Sequence, residues 1–269
     1  QATFAAIGAF TTAQLVANTG MSVPIALVIG AVLIAVVGAI IALPALRLSG
    51  IYLALATLAF AVMFENVIAP LEAVSGRRQI PVPRPYVAGI DFADNRAFLL
   101  LCLALLALIG AGVAALRGGT TGRFMSATPP SETAAAAIGI HTARLKVLAF
   151  VLSAAIAGFG GGLFASFERQ MGRTTYQANF TFVLGLVWVV LVITLRSRTV
   201  QGAVTGGRAF GLFRPRPREG FRLAPAIAGP VSFILFGLGA LTYARHPEGI
   251  IEAQTQRAIR LLTRRGAPP

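Results

Sequence analysis

Apolar tracts of membrane-crossing length alternate with short polar stretches along most of the chain. The first tract covers residues 1–46 without a charge, more than the ~20 residues that one helical crossing takes. Asn18-Thr19-Gly20 breaks it, and Pro24 suits the first turn of a following helix. The pattern predicts one helix over Ala2–Ala17 and a second over Pro24–Leu43. Pro44 and the turn Arg47-Leu48-Ser49-Gly50 lead into Ile51–Phe64, which runs on to Glu65 and Asn66 and ends near Pro70. Residues 71–96 have no helical period and are rich in Pro and Arg, the composition of an aqueous loop. Ala97–Leu116, between Arg96 and Arg117, and Val147–Phe167 are uncharged throughout and predict two full spans. Glu168–Arg173 makes a short connection to a further span, Thr174–Leu195. Leu223–Ala244 is the last, before a basic tail. The stretch 196–222 is ambiguous: Val200–Phe213 is apolar only in patches, and RPRPREGFR follows. The fold class is therefore all-α, a single polytopic domain over 1–269 with about seven to eight membrane segments.

One polar stretch, 117–144, differs from the other connections. Ser131 is a plausible N-cap, Glu132 stands in the first turn, and Ala134–Ala137 favour helix strongly until Gly139. SETAAAAIGIHTARLK thus reads as a short water-side helix joined directly to the span Val147–Phe167. Such a join suits transmission of a push from outside the membrane to a helix inside it.

Composition agrees with the pattern. Only 12% of residues are charged and 56% are hydrophobic, with a mean hydropathy of +0.78, whereas soluble domains carry about a quarter charged residues. The 23 basic residues against 9 acidic give a net charge of +14. They lie between apolar runs rather than among aromatics, so they flank and anchor spans and do not form a nucleic-acid surface. They divide almost evenly between the two sides, which leaves orientation undecided. The lone Cys102 excludes an internal disulfide and a cysteine metal cluster. No basic signal-peptide start precedes the first apolar tract, and the chain reads as entering mid-helix, truncated at its N-terminus.

No catalytic constellation is visible. His141 and His246 have no metal-site or nucleophile context and read as surface residues at membrane edges. Glu65, near the end of its apolar run, reads as interfacial. The clean spans hold no mid-membrane ionisable group, which weighs against a proton-driven transporter. No phosphate-loop motif GxxxxGK[ST] occurs, so the chain holds no nucleotide site or cofactor of its own. Ala154, Gly158, Gly162 and Ser166 recur every four residues and mark a helix-packing face, as do Ala31, Ala35 and Ala39.

Four stretches, in order along the chain, resemble the permease subunits of branched-chain amino acid ABC importers. They are QATFAAIGAFTTAQL, ALPALRLSGIYLALATLAFA, GRFMSATPPSETAAAAIGIHTARLKVLAFVLSAAIAGFGGGLFA and ILFGLGALTYARHPEGII. The resemblance implies an ATP-driven importer of branched-chain or other small hydrophobic amino acids in a bacterial inner membrane. It implies as partners a second permease subunit, two cytoplasmic ATPase subunits and a periplasmic substrate-binding protein. It puts Glu132, Ala134, Ala135 and Gly139 on the motif that docks into the ATPase. It also makes 117–144 cytoplasmic, and 71–96 and 168–178 periplasmic. Related permeases carry urea, amides or sugars, and a secondary transporter is the alternative from another class. The chain departs from the family pattern at Pro129-Pro130, at TLRSRTVQG and in the basic stretch 208–222, so its C-terminal third is divergent.

Overall fold

The computed structural model describes residues 1–45, 48, 51–76, 79–87, 89–120, 122–123 and 141–179. All lie in the first of two compact units, Gln1–Gly185 and Leu186–Pro269. The readings placed on 124–140 and from 180 onward, including the later spans and 196–222, lie outside the described residues.

Uncharged small and β-branched residues build α1 (Ala2–Thr19), which ends on Gly20. Gly20 has φ 64°, a left-handed conformation that a side chain would strain, and its N–H bonds to the Val16 carbonyl at 3.1 Å. α2 (Val23–Ala45) follows with Pro24 in its first turn, where the missing N–H has no helical partner to lose. α3 (Ile51–Met63) runs without a break into a π-helical turn, Phe64–Ile68. There the Ala69 N–H reaches back five residues to the Phe64 carbonyl at 2.8 Å. Pro70 comes next and has no N–H with which to continue the ladder.

The loop 71–96 is more ordered than its composition predicts. It holds α4 (Glu72–Ser75), β1 (Ile80–Pro81), β2 (Tyr86–Val87) and β3 (Ile90–Asp91). Asp94 then caps α5 (Asn95–Gly118), its carboxylate accepting the Arg96 N–H at 3.3 Å. α6 (Thr142–Glu168) begins inside the polar stretch and takes Arg144 and Lys146 into its first turns, so it outruns the uncharged span at that end. It stops at Arg169, a non-glycine residue at φ 62°, and β4 (Gln170–Met171) and α7 (Arg173–Asn179) follow. β1 pairs antiparallel with β4, Ile80 opposite Met171; β2 pairs antiparallel with β3, Tyr86 opposite Asp91. Prolines around β1 keep the ladders at two residues.

Three helices carry the core, with α6 packed against both α1 and α2, and α1 against α2. One cluster joins Phe4, Ile34 and Ala154, where Phe4 meets Phe150 edge-on at 5.7 Å. A second gathers Ala6, Ala9, Phe10 and Ala13 of α1 with Ala165, Met171 and Tyr176. Tyr176 ties α7 to the others by ring contacts with Phe10 (6.0 Å) and Phe64 (5.9 Å). α5 stands away from this core, with Leu100 and Leu108 66% and 69% exposed. Among the described residues three helices are long and apolar enough to cross a membrane: Val23–Pro44, Asn95–Gly118 and Ala143–Glu168. Exposed leucines on such helices meet lipid or another subunit rather than water.

Candidate functional site

Close helix approach is built from the small residues of α6. Ala154 and Ser166 are fully buried, and Gly158 and Gly162 are buried between them. A Cβ on Gly158 would lie 2.8 Å from the Cβ of Ile34. One on Gly162 would lie 2.5 Å from Thr12 Oγ1 and 2.6 Å from Leu27 Cδ2, and one on Gly38 2.6 Å from the Cβ of Ala154. The pairs Leu27–Gly162, Ile34–Gly158 and Gly38–Ala154 make α2 antiparallel to α6. Toward α1 the approach is backbone on backbone: a Cβ on Gly8 would overlap the Gly158 carbonyl oxygen, and one on Gly161 the Ala5 carbonyl oxygen. The Ser166 hydroxyl is buried with no hydrogen-bond partner among the described residues.

A strict four-residue spacing passes over Gly161 and Ala165, which a 3.6-residue period picks up. On α2 the contact stripe is offset by one residue from the alanines. Gly30, Ile34, Gly38 and Ala42 are buried, whereas Ala31, Ala35 and Ala39 are half-buried beside them.

Glu132, Ala134, Ala135 and Gly139 lie outside the described residues. The chain re-enters at His141, which is exposed and makes no side-chain cap to α6, and His246 lies outside. Glu65 is half-buried in the first turn of the π-helix. Cys102 is a free, partly buried thiol on α5. No group of three His, Cys, Asp or Glu able to hold a metal occurs among the described residues.

At one end of the helices, residues 79–84 and 169–174 are fastened together. The Val82 N–H donates to the Arg169 carbonyl at 2.9 Å, and Gln79 Nε2 donates to Thr174 Oγ1 at 3.0 Å. Arg84 lies 4.6 Å over the Phe98 ring and donates to Asn95 Oδ1 at 2.7 Å, while Arg169 donates to the Ala93 carbonyl at 3.1 Å. These bonds tie the loop to the start of α5 and the end of α6.

Beside this end a cleft of about 550 Å³ runs along α1. The wall on α1 extends from Ile7 to Thr19, and Val37, Phe60 and Phe64 face it from α2, α3 and the π-turn. Its lining is almost wholly apolar. Thr11, Gln14, Asn18 and Thr19 add neutral polar groups toward the loop, where Val74 closes the rim. Gln14 is held in place, with Nε2 donating to the Val74 carbonyl at 3.2 Å and Oε1 accepting from Asn18 Nδ2 at 2.9 Å. Among the described residues no acid or base lines the cleft. Sequence reading passed over it because apolar walls look like packing surfaces. The usable signal was Thr11, Gln14 and Asn18, polar groups on one face of an otherwise apolar helix.

Residues 1–237 match the family described as branched-chain amino acid transport system, permease component. The chain is 30% identical over 210 residues to the high-affinity branched-chain amino acid transport system permease protein LivM of Escherichia coli K12. It is 29% identical over 210 residues to the protein of the same description from Salmonella typhimurium LT2. Each match covers 68% of this chain and 49% of the relative, so the chain spans about half the length of the curated relatives it matches. No solved structure matches it. Over 237 of its 269 residues, carrying helices of membrane-crossing length, the chain belongs to the branched-chain amino acid transport permease family, a family of transporters and not of enzymes.

Proposed function

We propose that the chain is the membrane-spanning subunit of an ATP-driven importer that moves branched-chain or other small hydrophobic amino acids into the cytoplasm. The family match across residues 1–237 carries this reading. The membrane is the bacterial inner membrane, and 1–269 acts as one permease domain. Residues 117–144 face the cytoplasm; 71–96 and 168–178 face the periplasm. A second permease subunit completes the pathway, two cytoplasmic ATPases hydrolyse the ATP, and a periplasmic binding protein delivers the cargo.

Coupling runs through Glu132, Ala134, Ala135 and Gly139, which dock on the ATPase just before α6. The packing of α6 supports this route. Ala154, Gly158, Gly162 and Ser166 belong to the face where α6 meets α1 and α2, and Gly8 and Gly158 meet there with no side chain between them to rearrange. A shift of α6 therefore carries α1 with it as a body.

Reconstitution with the ATPases, second permease and binding protein tests the reading: leucine uptake is expected to need ATP hydrolysis and to persist without a proton gradient. Glu132→Ala with Gly139→Leu is expected to abolish that uptake while the chain still inserts in the membrane. Undiminished uptake in the double variant would sink the coupling assignment. ATP-independent uptake by the unaltered complex would sink the importer reading.

A further inference from the structure

We infer that the loop end of α5 is a binding site for one anionic phospholipid, with the headgroup phosphate on Arg84 and Arg169 and an acyl chain along the exposed side of α5. This rests on α5 lying in the membrane and not on the cargo. Two cations meet at the head of the site. Arg84 Nη1 and Arg169 Nη2 both donate to the Ala93 carbonyl oxygen, at 3.4 and 3.1 Å. Guanidinium groups gathered on one oxygen repel each other, and neither has a carboxylate partner among the described residues. The carboxylates of the same loop are turned to the backbone instead: Asp91 Oδ1 accepts the Ala93 N–H at 2.9 Å, and Asp94 Oδ2 accepts the Arg96 N–H at 3.3 Å. A phosphate has acceptor oxygens enough to bond both guanidiniums at once and offset their repulsion.

The surroundings of the pair make the anion a lipid. Arg84 Nη2 donates to Asn95 Oδ1 at 2.7 Å, and the guanidinium lies 4.6 Å over the Phe98 ring, which fixes the charge at the first turn of α5. Asn95, Leu99 and Leu103 follow one another at four-residue intervals on one side of that helix. Leu99 and Leu103 are 58% and 51% exposed, and Leu103 stands about 12 Å along the axis from Asn95. Phe167, itself exposed, stacks on Phe98 at 6.3 Å and adds an aromatic surface at the depth where such rings meet headgroups. A free phosphate, or a carboxylate on a protein in water, answers the arginines and leaves the leucines unmatched. A phospholipid answers both, headgroup first and chain after, and the arginines supply the charge complement of an anionic one.

The test uses the full chain in vesicles of phosphatidylglycerol and phosphatidylcholine. Trp188→Phe removes the single tryptophan, and Leu103→Trp places a reporter beside the proposed acyl chain. Lipids brominated on their acyl chains quench a tryptophan they touch, so brominating one lipid at a time gives their relative affinity at that position. An arginine near an anionic lipid favours it roughly 5-fold, and phosphatidylglycerol is expected to be preferred at Leu103→Trp by about 5-fold or more. Arg84→Gln with Arg169→Gln is expected to abolish the preference, and Arg84→Lys with Arg169→Lys, which keeps the charges without the planar forks, to retain part of it. A second reporter, Val36→Trp, sits on exposed α2 surface near Gly38, whose neighbour Ala154 is far along α6 from Arg169; it is expected to show no preference. Equal quenching by the two lipids at Leu103→Trp with both arginines present overturns the inference, whatever the variants do. The same preference at Val36→Trp overturns it in favour of attraction by the chain's net charge. A preference erased by inorganic phosphate overturns the lipid as occupant and gives the arginines to a free anion.

Discussion

Gly160 and Gly161 are neighbours on α6 with opposite surroundings, and the pair isolates what backbone contact contributes. A Cβ on Gly160 meets nothing within 4 Å, whereas one on Gly161 overlaps the Ala5 carbonyl oxygen of α1. Gly→Ala gains about 1 kcal/mol of helix propensity at either position, so that gain cancels between the two variants. The overlap at position 161 is with backbone, which no rotamer change relieves, so α1 and α6 must separate by about 1 Å. A gap of 0.5–1 Å forfeits about a quarter to a half of each ~0.1–0.2 kcal/mol atom contact. Summed along the seam, the loss falls in the ~1–3 kcal/mol range typical of overpacking. Gly161→Ala should therefore be about 2 kcal/mol less stable than Gly160→Ala, roughly a 30-fold shift in the folding equilibrium. Reversible unfolding of the purified chain in mixed micelles, followed by loss of helicity, measures the difference. Coincident unfolding curves would falsify the claim that α1 and α6 meet backbone to backbone.

Two further outcomes follow from the loop end of the bundle. Asp94→Ala removes the cap of α5 and should cost about 1 kcal/mol, read as a lower unfolding midpoint that Asp94→Asn largely restores. Arg84→Ala removes the guanidinium from the Phe98 ring and from Asn95, contacts of about 1 kcal/mol each. Chymotryptic cleavage at Tyr86 and Phe92 is expected to quicken by up to roughly 30-fold, and an unchanged rate would mean that Arg84 does not hold the loop.

The helices were legible because an uncharged tract of bilayer length has few other stable forms. The breaks at Gly20 and Pro70 were also readable, each being a backbone device visible as a residue type. What escaped notice depended on partners distant in sequence. Ile80 opposite Met171 and Arg84 over Phe98 join residues that no local period connects. Gly160, Gly161 and Gly162 are alike in sequence, and only the position of Ala5 and Thr12 separates the first from the other two. The stripe on α2 lies one residue from Ala31, Ala35 and Ala39 because the partner helix fixes the contact face, Ile34 against Gly158 and Gly38 against Ala154, and no local period shows that. The cleft was hidden for a related reason, since Ile7 and Val37 have the character of core residues.

A mechanical relation links these parts. α1 is at once the helix whose Gly8 and Ala5 meet α6 and the helix whose Thr11, Gln14 and Asn18 line the cleft. Close packing transmits strain, and α1 and α6 are in backbone contact at Gly8–Gly158 and Ala5–Gly161, so displacement of α6 either moves α1 or opens a gap along the seam. At the loop end, Gln14 is bonded to Val74 while β4, just beyond α6, is paired with β1. In the proposed mechanism, a movement entering α6 at Thr142 would reach the cleft through α1 along its length and through the loop at its rim. Loosening the seam with Gly161→Ala should for that reason weaken the response of the cleft before it weakens membrane insertion. Maleimide labelling of an Asn18→Cys thiol in a Cys102→Ala background, compared with and without ATP in the complete complex, reads the response: the Gly161→Ala seam predicts a smaller difference, and an undiminished one refutes the linkage.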